Sequence, residues 1–297
     1  MFDFRLQVFY AVAKRLSFTK AGEELFITQP AFTKHIHELE SHFRQKLFER
    51  NVNQVALTPA GRTLLKHVEE LFVIYRNIEL DLNDIAKKHR GLLRLGASTT
   101  VAQYVIPPVV AAFHQKYNSV QIRLKSDNTE EIERLLLNGE IELGIIEGHT
   151  KNKAIHYTAI SKDEIVLVAG MLYPDAKKDS IRPEDLKKIP LLLREPGSGT
   201  LEVIALALKR IGIKMSSLNI EMHLNSTEGI KSYLLHSPCM AFISIHAVLK
   251  ELEHRECRII DVKGLTIERP FYFIQARGEN NTNAELFMRF AKQHNLK

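Results

Sequence analysis

The sequence predicts an α+β, multi-domain protein: a winged helix-turn-helix at the amino end, one long helix, then a larger α/β domain of two units. Three observations carry this. Ser17 to Glu40 holds two short amphipathic stretches, each with its own capping residue. Apolar residues from Leu64 to Ile85 recur alternately four and three apart, and from Gly91 onward short apolar runs alternate with helical periods.

In the first segment, Ser17 is placed to cap one helix, whose Ala21 and Leu25 face inward. Thr28 is placed to cap the next, with Pro30 at its first helical position, where no donor is lost. Phe32, Ile36 and Leu39 form the apolar stripe of that second helix, which leaves Gln29, Thr33, Lys34 and His37 together on the opposite face. A polar, cationic, donor-rich face suits a major groove, and Gln29 sits near the helix start, where base edges are met. Any solvated helix also has a polar face, so the pattern by itself leaves both readings open. Leu47 to Gly61 reads as a two-stranded wing closed by a second capping pair, Thr58 with Pro59.

The long helix is expected from Thr58 to His89, ended by Gly91. Its residues Leu64, Val68, Leu71, Tyr75, Ile78, Leu82 and Ile85 keep a heptad register, the pattern of a helix pairing with its own copy, although a core-facing helix is the simpler alternative. Two recognition helices held that way require an inverted repeat of half-sites. Beyond it, Leu92–Gly96, Tyr104–Tyr117, Val120–Ser126, Thr129–Asn138 and Glu142–Ile146 form one βαβ series. A second runs through Ile165–Ala169, Leu191–Leu193, Leu201–Ile211, Ile220–Leu224, Thr227–Leu235 and Met240–Ile245, after which Pro270–Gln275 and Asn283–His294 return to the first sheet.

Composition narrows the class. At 297 residues the chain has room for two or three domains, and its two cysteines argue against a disulfide framework. No apolar run is long enough for a bilayer and Met1–Arg5 lacks the order of a signal peptide, so a cytoplasmic location with no membrane partner is expected. The formal charge of +6 is concentrated where the helix-turn-helix lies: between Met1 and His67 the basic residues Arg5, Lys14, Arg15, Lys20, Lys34, Arg44, Lys46, Arg50, Arg62 and Lys66 outnumber the acidic ones.

Phe9-x-x-Val12-Ala, Ser17-Phe-Thr-x-Ala21-Gly, Gln29-Pro-Ala-Phe-Thr-Lys-x-Ile36-x-x-Leu39-Glu, Leu47-Phe-Glu-Arg50 and Leu57-Thr-Pro-Ala-Gly61 resemble the LysR-type transcriptional regulators at the family's spacing. The resemblance covers essentially the whole chain and is strongest in the first ninety or so positions. It implies that Thr28, Gln29, Pro30, Thr33 and Lys34 lie at double-stranded DNA and that Arg50 anchors the wing to phosphate. Ser17, Thr19, Lys20 and His37 complete the candidate DNA-binding set. Many members carry a further arginine near the positions of Asn53 and Gln54, so the wing here is expected to use neutral donors or to touch the minor groove less. The resemblance also implies a periplasmic-binding-protein-like effector domain crossed twice by the chain, near Ser161 and Thr266, and a homodimer or homotetramer, with RNA polymerase as a further candidate partner. The expected domains are 1–58 (DNA-binding), 59–90 (linker and dimerisation helix) and 91–297 (effector-binding), the last with lobe I at 91–161 and 267–297 and lobe II at 162–266.

Ligands of open α/β lobes lie beyond the carboxyl ends of the strands, at helix N-termini. Three loops have a suitable composition: Ser98-Thr99-Thr100 after the first strand, Arg194 with Gly197-Ser198-Gly199-Thr200, and Asn225-Ser226. Each also reads as an ordinary helix cap. Together they suggest a cleft that cradles a small anion, an oxyanion or small carboxylate. The form Arg194-Glu-Pro-Gly-Ser-Gly-Thr200 is similar to regulators of sulfur assimilation and carbon fixation, which implies sulfite, sulfate-like oxyanions or phosphorylated metabolites. Those relatives often have an arginine where this chain has Leu201, which favours a small oxyanion held mainly by neutral donors, with Arg194 the nearest charge.

Enzyme chemistry is not expected, and no catalytic residue, cofactor or metal is assigned. Gly197-Ser-Gly-Thr lacks the first glycine of a nucleophile elbow and the lysine of a phosphate loop. His35 and His37 point to different faces, and His254 with Cys257 has no second pair. The runner-up of a different class is a transport-type solute-binding protein with an N-terminal extension that does not bind DNA.

Overall fold

The computed structural model describes residues 3–18, 21, 25, 27–51, 54–85, 89–149, 151–174, 179–278 and 281–294. Thr19, Lys20 and Asn53 fall outside these, and for Gln29, Arg50, Gln54 and Ile85 only the backbone is described. Two compact units result, 1–88 and 89–297.

The first unit opens with a helix that the sequence reading did not include, α1 (Phe4–Arg15), whose N-cap Asp3 accepts from the Arg5 N–H at 2.9 Å. It buries Val8, Phe9 and Val12 against Phe32, Ile36 and Leu39 of α2 (Gln29–Phe43), with Ala21, Leu47 and Phe48 in the same core. Thr28 is the N-cap of α2, but through its carbonyl, which accepts from Phe32 N at 3.0 Å, and its hydroxyl makes no capping bond. Pro30 is consequently the second helical residue rather than the first, a place where its missing N–H is equally harmless. Strands β1 (Phe48–Asn51) and β2 (Gln54–Leu57) pair antiparallel from Phe48↔Leu57 to Asn51↔Gln54, forming the wing.

Thr58 then joins wing to helix. Its hydroxyl donates to Lys46 O at 2.6 Å and accepts from Gly61 N at 2.9 Å, so one side chain both closes the wing and caps α3 (Pro59–Ile85). Gly61 is needed here, because a β-carbon would lie 2.1 Å from Leu47 O. Of the heptad positions, Val68 is fully buried in the core of this unit and Leu64 is packed against it. Leu71, Ile78 and Leu82 remain exposed, together with Ile74, which the heptad did not include. The seam that the spacing places from Leu64 to Ile85 is therefore used by the unit's own core at its start, and its open part begins at Leu71.

In the second unit, β3 (Gly91–Ser98), β4 (Val120–Asp127) and β5 (Leu143–Glu147) are parallel, as are β8 (Leu191–Arg194), β9 (Ile220–Leu224) and β10 (Met240–Ser244). Between these two lobes run β6 (Ile155–Gly170) and β13 (Ile267–Ala276), antiparallel from Ile155↔Ala276 to Ile165↔Ile267, so that one sheet reads β4-β3-β5-β13-β6-β10-β8-β9. At 16 residues β6 spans about 50 Å, enough to serve both lobes. Only Ile165–Ala169 was expected as strand, because that half is buried on both faces while 156–164 is mostly polar. The crossing occurs within paired strands rather than at free hinges.

Helices cover the sheet: α4 (Pro107–Lys116), α5 (Thr129–Leu137) and α9 (Thr282–Gln293) on the first lobe, α6 (Gly199–Arg210), α7 (Thr227–Leu235) and α8 (Ile245–Glu253) on the second. A π-helical turn, Val101–Val105, precedes α4, where a single helix from Tyr104 to Tyr117 was expected. Helix α8 and the short strands β7 (Ser180–Ile181), β11 (Cys257–Ile259) and β12 (Asp261–Val262) are further additions of the structure. Cys239 and Cys257 are buried beside opposite edges of β6, and burial raises both thiols, that of Cys257 to about 11. Among the described residues no helix is long and apolar enough to cross a membrane.

Candidate functional site

On the first unit, burial of Phe32, Ile36 and Leu39 turns the other side of α2 outward, and Thr28, Pro30, Thr33, Lys34 and His37 are exposed there. Ser17 lies at the start of the preceding segment, its carbonyl accepting from Ala21 N at 3.1 Å. Thr33, Ile36 and His37 line a groove of about 370 Å³ with Glu40, Lys46 and Phe48, between α2 and the start of the wing. Its floor is held by Glu40, which accepts from Leu47 N at 2.9 Å and from Lys46 Nζ at 2.8 Å. Burial would raise the Glu40 carboxyl, but the Lys46 ammonium and the Leu47 and Phe48 N–H groups outweigh it and hold the pKa below its ordinary value. The arrangement offers a solvent-facing row of donors on a rigid helix, with Arg50 in the backbone of the adjacent strand.

On the second unit, the loops of Ser98 and Thr200 meet on Glu147 and those of Arg194 and Asn225 meet each other, and their side chains are already engaged. Ser98, Thr100, Arg194, Ser198 and Thr200 are all buried. Ser198 and Ser226 cap α6 and α7, accepting from Leu201 N at 3.5 Å and Gly229 N at 3.2 Å. Arg194 is paired with Glu195, its Nε 2.8 Å from Oε2, and reaches Thr227 Oγ1 at 3.3 Å and Asn225 O at 3.5 Å. Its charge is thus compensated by its neighbour rather than left open to the cleft. Gly197 adopts φ +85°, and Gly199 approaches backbone so closely that a β-carbon would fall 2.1 Å from Glu147 O. The close approach that these glycines permit is to the opposite lobe. Thr99 Oγ1 is buried and has no hydrogen-bond partner among the described residues.

Around Glu147 lies an ion network that the loop composition did not reveal. Arg269 of β13 is fully buried, its Nε and Nη2 each 2.7 Å from Asp163 Oδ2 and its Nη1 3.2 Å from Glu147 Oε1. Nη1 also donates to Thr200 Oγ1 at 2.7 Å, and Thr200 donates on to Glu147 Oε1 at 3.2 Å. Ser98 donates to Glu147 Oε2, and Ser244 to Asp163 Oδ1 at 2.8 Å. The network thus joins two carboxylates to one guanidinium, with His246 Nε2 3.8 Å from Asp163 Oδ1 at its edge. A second link across the lobes joins Tyr104 of the π turn to Glu228 Oε1 of α7 at 2.5 Å, with Lys231 3.1 Å from Glu228 and 2.7 Å from Glu251. Burial and the Glu228 carboxylate raise the Tyr104 hydroxyl. A surface pocket of about 340 Å³ lies elsewhere, lined by residues that include His149, Arg210 and Glu268.

Sequence signals existed for two of the missed residues. Glu147 ends the otherwise apolar run Leu-Gly-Ile-Ile-Glu, and Arg269 stands in a strand rich in Ile and Phe; a lone charge in a buried strand needs a partner. Asp163 lies in a polar stretch and gave none.

Comparison with known proteins bears on both units. Residues 4–62 match the bacterial regulatory helix-turn-helix proteins of the lysR family, and residues 86–296 match the LysR substrate binding domain. The HTH-type transcriptional regulator CysL of Bacillus subtilis (strain 168) is 28% identical over 290 residues, 97% of this chain and 96% of that protein. A probable RuBisCO transcriptional regulator of Cyanophora paradoxa is 32% identical over 268 residues, 89% of this chain and 83% of the relative. The regulatory domain of Synechocystis PCC6803 CcmR, solved in complex with 2-PG, superposes with a TM-score of 0.63 at 25% identity, covering 69% of this chain and 97% of that one. With the winged unit and the two-lobed domain matched in order, the chain belongs to the LysR family of transcriptional regulators, DNA-binding proteins that carry an effector-binding domain.

Proposed function

We propose that this regulator reads an inverted-repeat DNA site as a dimer and responds to a small anion bound between the lobes of its second unit. The observation that carries the DNA reading is the segregation of α2: Phe32, Ile36 and Leu39 are locked inward, so Thr33, Lys34 and His37 are presented outward on a rigid helix. Gln29, at the first helical position, is the proposed base reader, and Arg50 the proposed phosphate contact of the wing. The exposed row Leu71, Ile74, Ile78 and Leu82 supports pairing of α3 with a second copy. Ser17, Thr19, Lys20, Thr28 and Pro30 complete the proposed DNA face.

The proposed effector contacts are Ser98, Thr99, Thr100, Thr200 and the loops at Gly197–Gly199 and Asn225–Ser226; Ser98 and Thr200 meet on Glu147 across the lobes, which supports placing the ligand there. The 2-PG bound by the CcmR regulatory domain supports a small ligand for a domain of this kind. Lobe rearrangement on binding would change how two DNA-reading units are held, which is a shift between states that bind the ligand unequally.

Mobility shifts on an inverted repeat at several salt concentrations test the reading. Lys34→Ala should weaken binding to all sequences alike and lower the salt slope by about one. An unchanged slope and affinity would remove α2 from the DNA.

A further inference from the structure

The donors that would hold an anion between the lobes already hold one, and it belongs to the chain. Ser98 and Thr200 each donate to a different oxygen of Glu147, Arg269 Nη1 lies 3.2 Å away, and the Glu147 carboxylate sits in a residue only 1% exposed. At the same strand end, Thr129 Oγ1 at the start of α5 donates to the backbone Glu147 O at 2.8 Å, and Gly199 of α6 packs against that carbonyl. Two hydroxyls and a guanidinium converging on one carboxylate are the components of a carboxylate site.

We propose that Glu147 is a tethered stand-in for the effector and the residue that sets its class: the seat exchanges the chain's own carboxylate for that of a small monocarboxylate ligand. This rests on the reading that the effector binds between the lobes. Charge selects the class. With Glu147 in place the seat holds one carboxylate beside Asp163 and Arg269, with the His246 imidazole 3.8 Å from Asp163 Oδ1, and a monocarboxylate in its place keeps that count. A dianion would add a second against the same single guanidinium in a buried setting, where uncompensated charge is costly. Shape agrees, since each Glu147 oxygen is met by its own hydroxyl donor, in the flat two-oxygen pattern of a carboxylate. The exchange also has a route: Ser98 shares the first lobe with Glu147 while Thr200 stands on the second, so parting the lobes breaks the Thr200 bond, and a ligand carboxylate that displaces Glu147 from Ser98 can bridge the same pair of hydroxyls.

A tethered competitor lowers apparent affinity through its high effective concentration, so deleting it should expose the seat. The test uses the full chain with Glu147→Ala, and Glu147→Ser should the alanine variant fold poorly. Arg269 keeps its contacts to Asp163 in both. Acetate, acetamide, sulfate and phosphate are titrated by calorimetry and thermal unfolding. Acetate should bind the variant on the order of tenfold or more tighter than the unsubstituted chain, and acetamide should not bind. Adding Thr200→Val should abolish that gain. Equal acetate affinity in both chains, binding of sulfate or phosphate but not acetate, or no binding at all would each overturn the role of Glu147. Tight acetate binding that survives Thr200→Val would instead place the ligand away from the cleft and remove the reading on which the proposal rests.

Discussion

Replacing Ile78 and Leu82 by alanine separates the two uses to which α3 is put. Ile78 is 48% exposed and Leu82 60% exposed, so neither contributes much to the stability of its own unit. Covering such a side chain fully is worth about 1.5–3 kcal/mol, and a pairing helix covers both residues on both copies. Scaled by the exposed fractions and by the β-carbon that alanine retains, the double variant should lose about 2–5 kcal/mol of association free energy. That raises the dimer dissociation constant roughly 30-fold to a few thousandfold. Sedimentation equilibrium across a dilution series reads the change, and the same samples on an inverted repeat should lose cooperative binding while a single half-site is still bound. Val68 supplies the contrast: it is fully buried in the core of the first unit, so Val68→Ala should cost about 2 kcal/mol in unfolding. A double variant that dimerises as before, with cooperative DNA binding intact, would refute α3 as the seam. An Ile78→Cys chain adds a geometric check, because Cys239 and Cys257 are buried and only the introduced thiol should cross-link two copies under mild oxidation.

Three further outcomes follow from the described contacts. Gly61→Ala should unfold the winged unit or force the wing off α3, since the new methyl would sit 2.1 Å from Leu47 O; a circular dichroism melt matching the unsubstituted chain would contradict this. Glu40 has a depressed pKa in the folded state, so the stability it contributes is full above its unfolded value of about 4.3 and is lost as pH falls through the lower folded value. Acid melting of the first unit should therefore be less steep in Glu40→Gln, and an unaltered pH profile would discount the Lys46 and Leu47 contacts. Arg269→Met should leave Glu147 and Asp163 buried together without their cation, costing about 3–5 kcal/mol by urea denaturation, while a loss under about 1 kcal/mol would mean the network is wetter than its burial indicates.

Much of the first unit was legible because local and tertiary demands coincide there. The stripe Phe32, Ile36, Leu39 has no use except a core, and the opposite face follows from helical period alone. The Thr-Pro-Ala-Gly run was read as a cap, and it is one, but the need for glycine at Gly61 comes from a carbonyl fourteen residues earlier in the chain. Helix α1 is less legible, since its buried residues Val8, Phe9, Ala11, Val12 and Ala13 lie almost consecutively and blur the helical stripe. Heptad spacing is identical whether a residue faces a partner or the unit's own core, so Val68, buried, and Leu71, exposed, differ only by what lies beside them.

For the second unit, alternation of apolar runs with turn residues identified most strands and helices, including the edges that carry the three loops. The polar half of β6 was missed because its support comes from β13, paired to it from more than a hundred positions away. What the sequence by itself determined is the order of domains, the outward face of α2, and Ser98 at a strand end with Thr200 and Ser226 at helix starts, since these depend on period and capping. Only the tertiary structure decided what those groups touch. Glu147, Asp163 and Arg269 are separated along the chain and meet because two antiparallel strands cross both lobes at one height. The donors of the cleft find their carboxylate through that crossing, a matter of strand register that no local stretch of residues encodes.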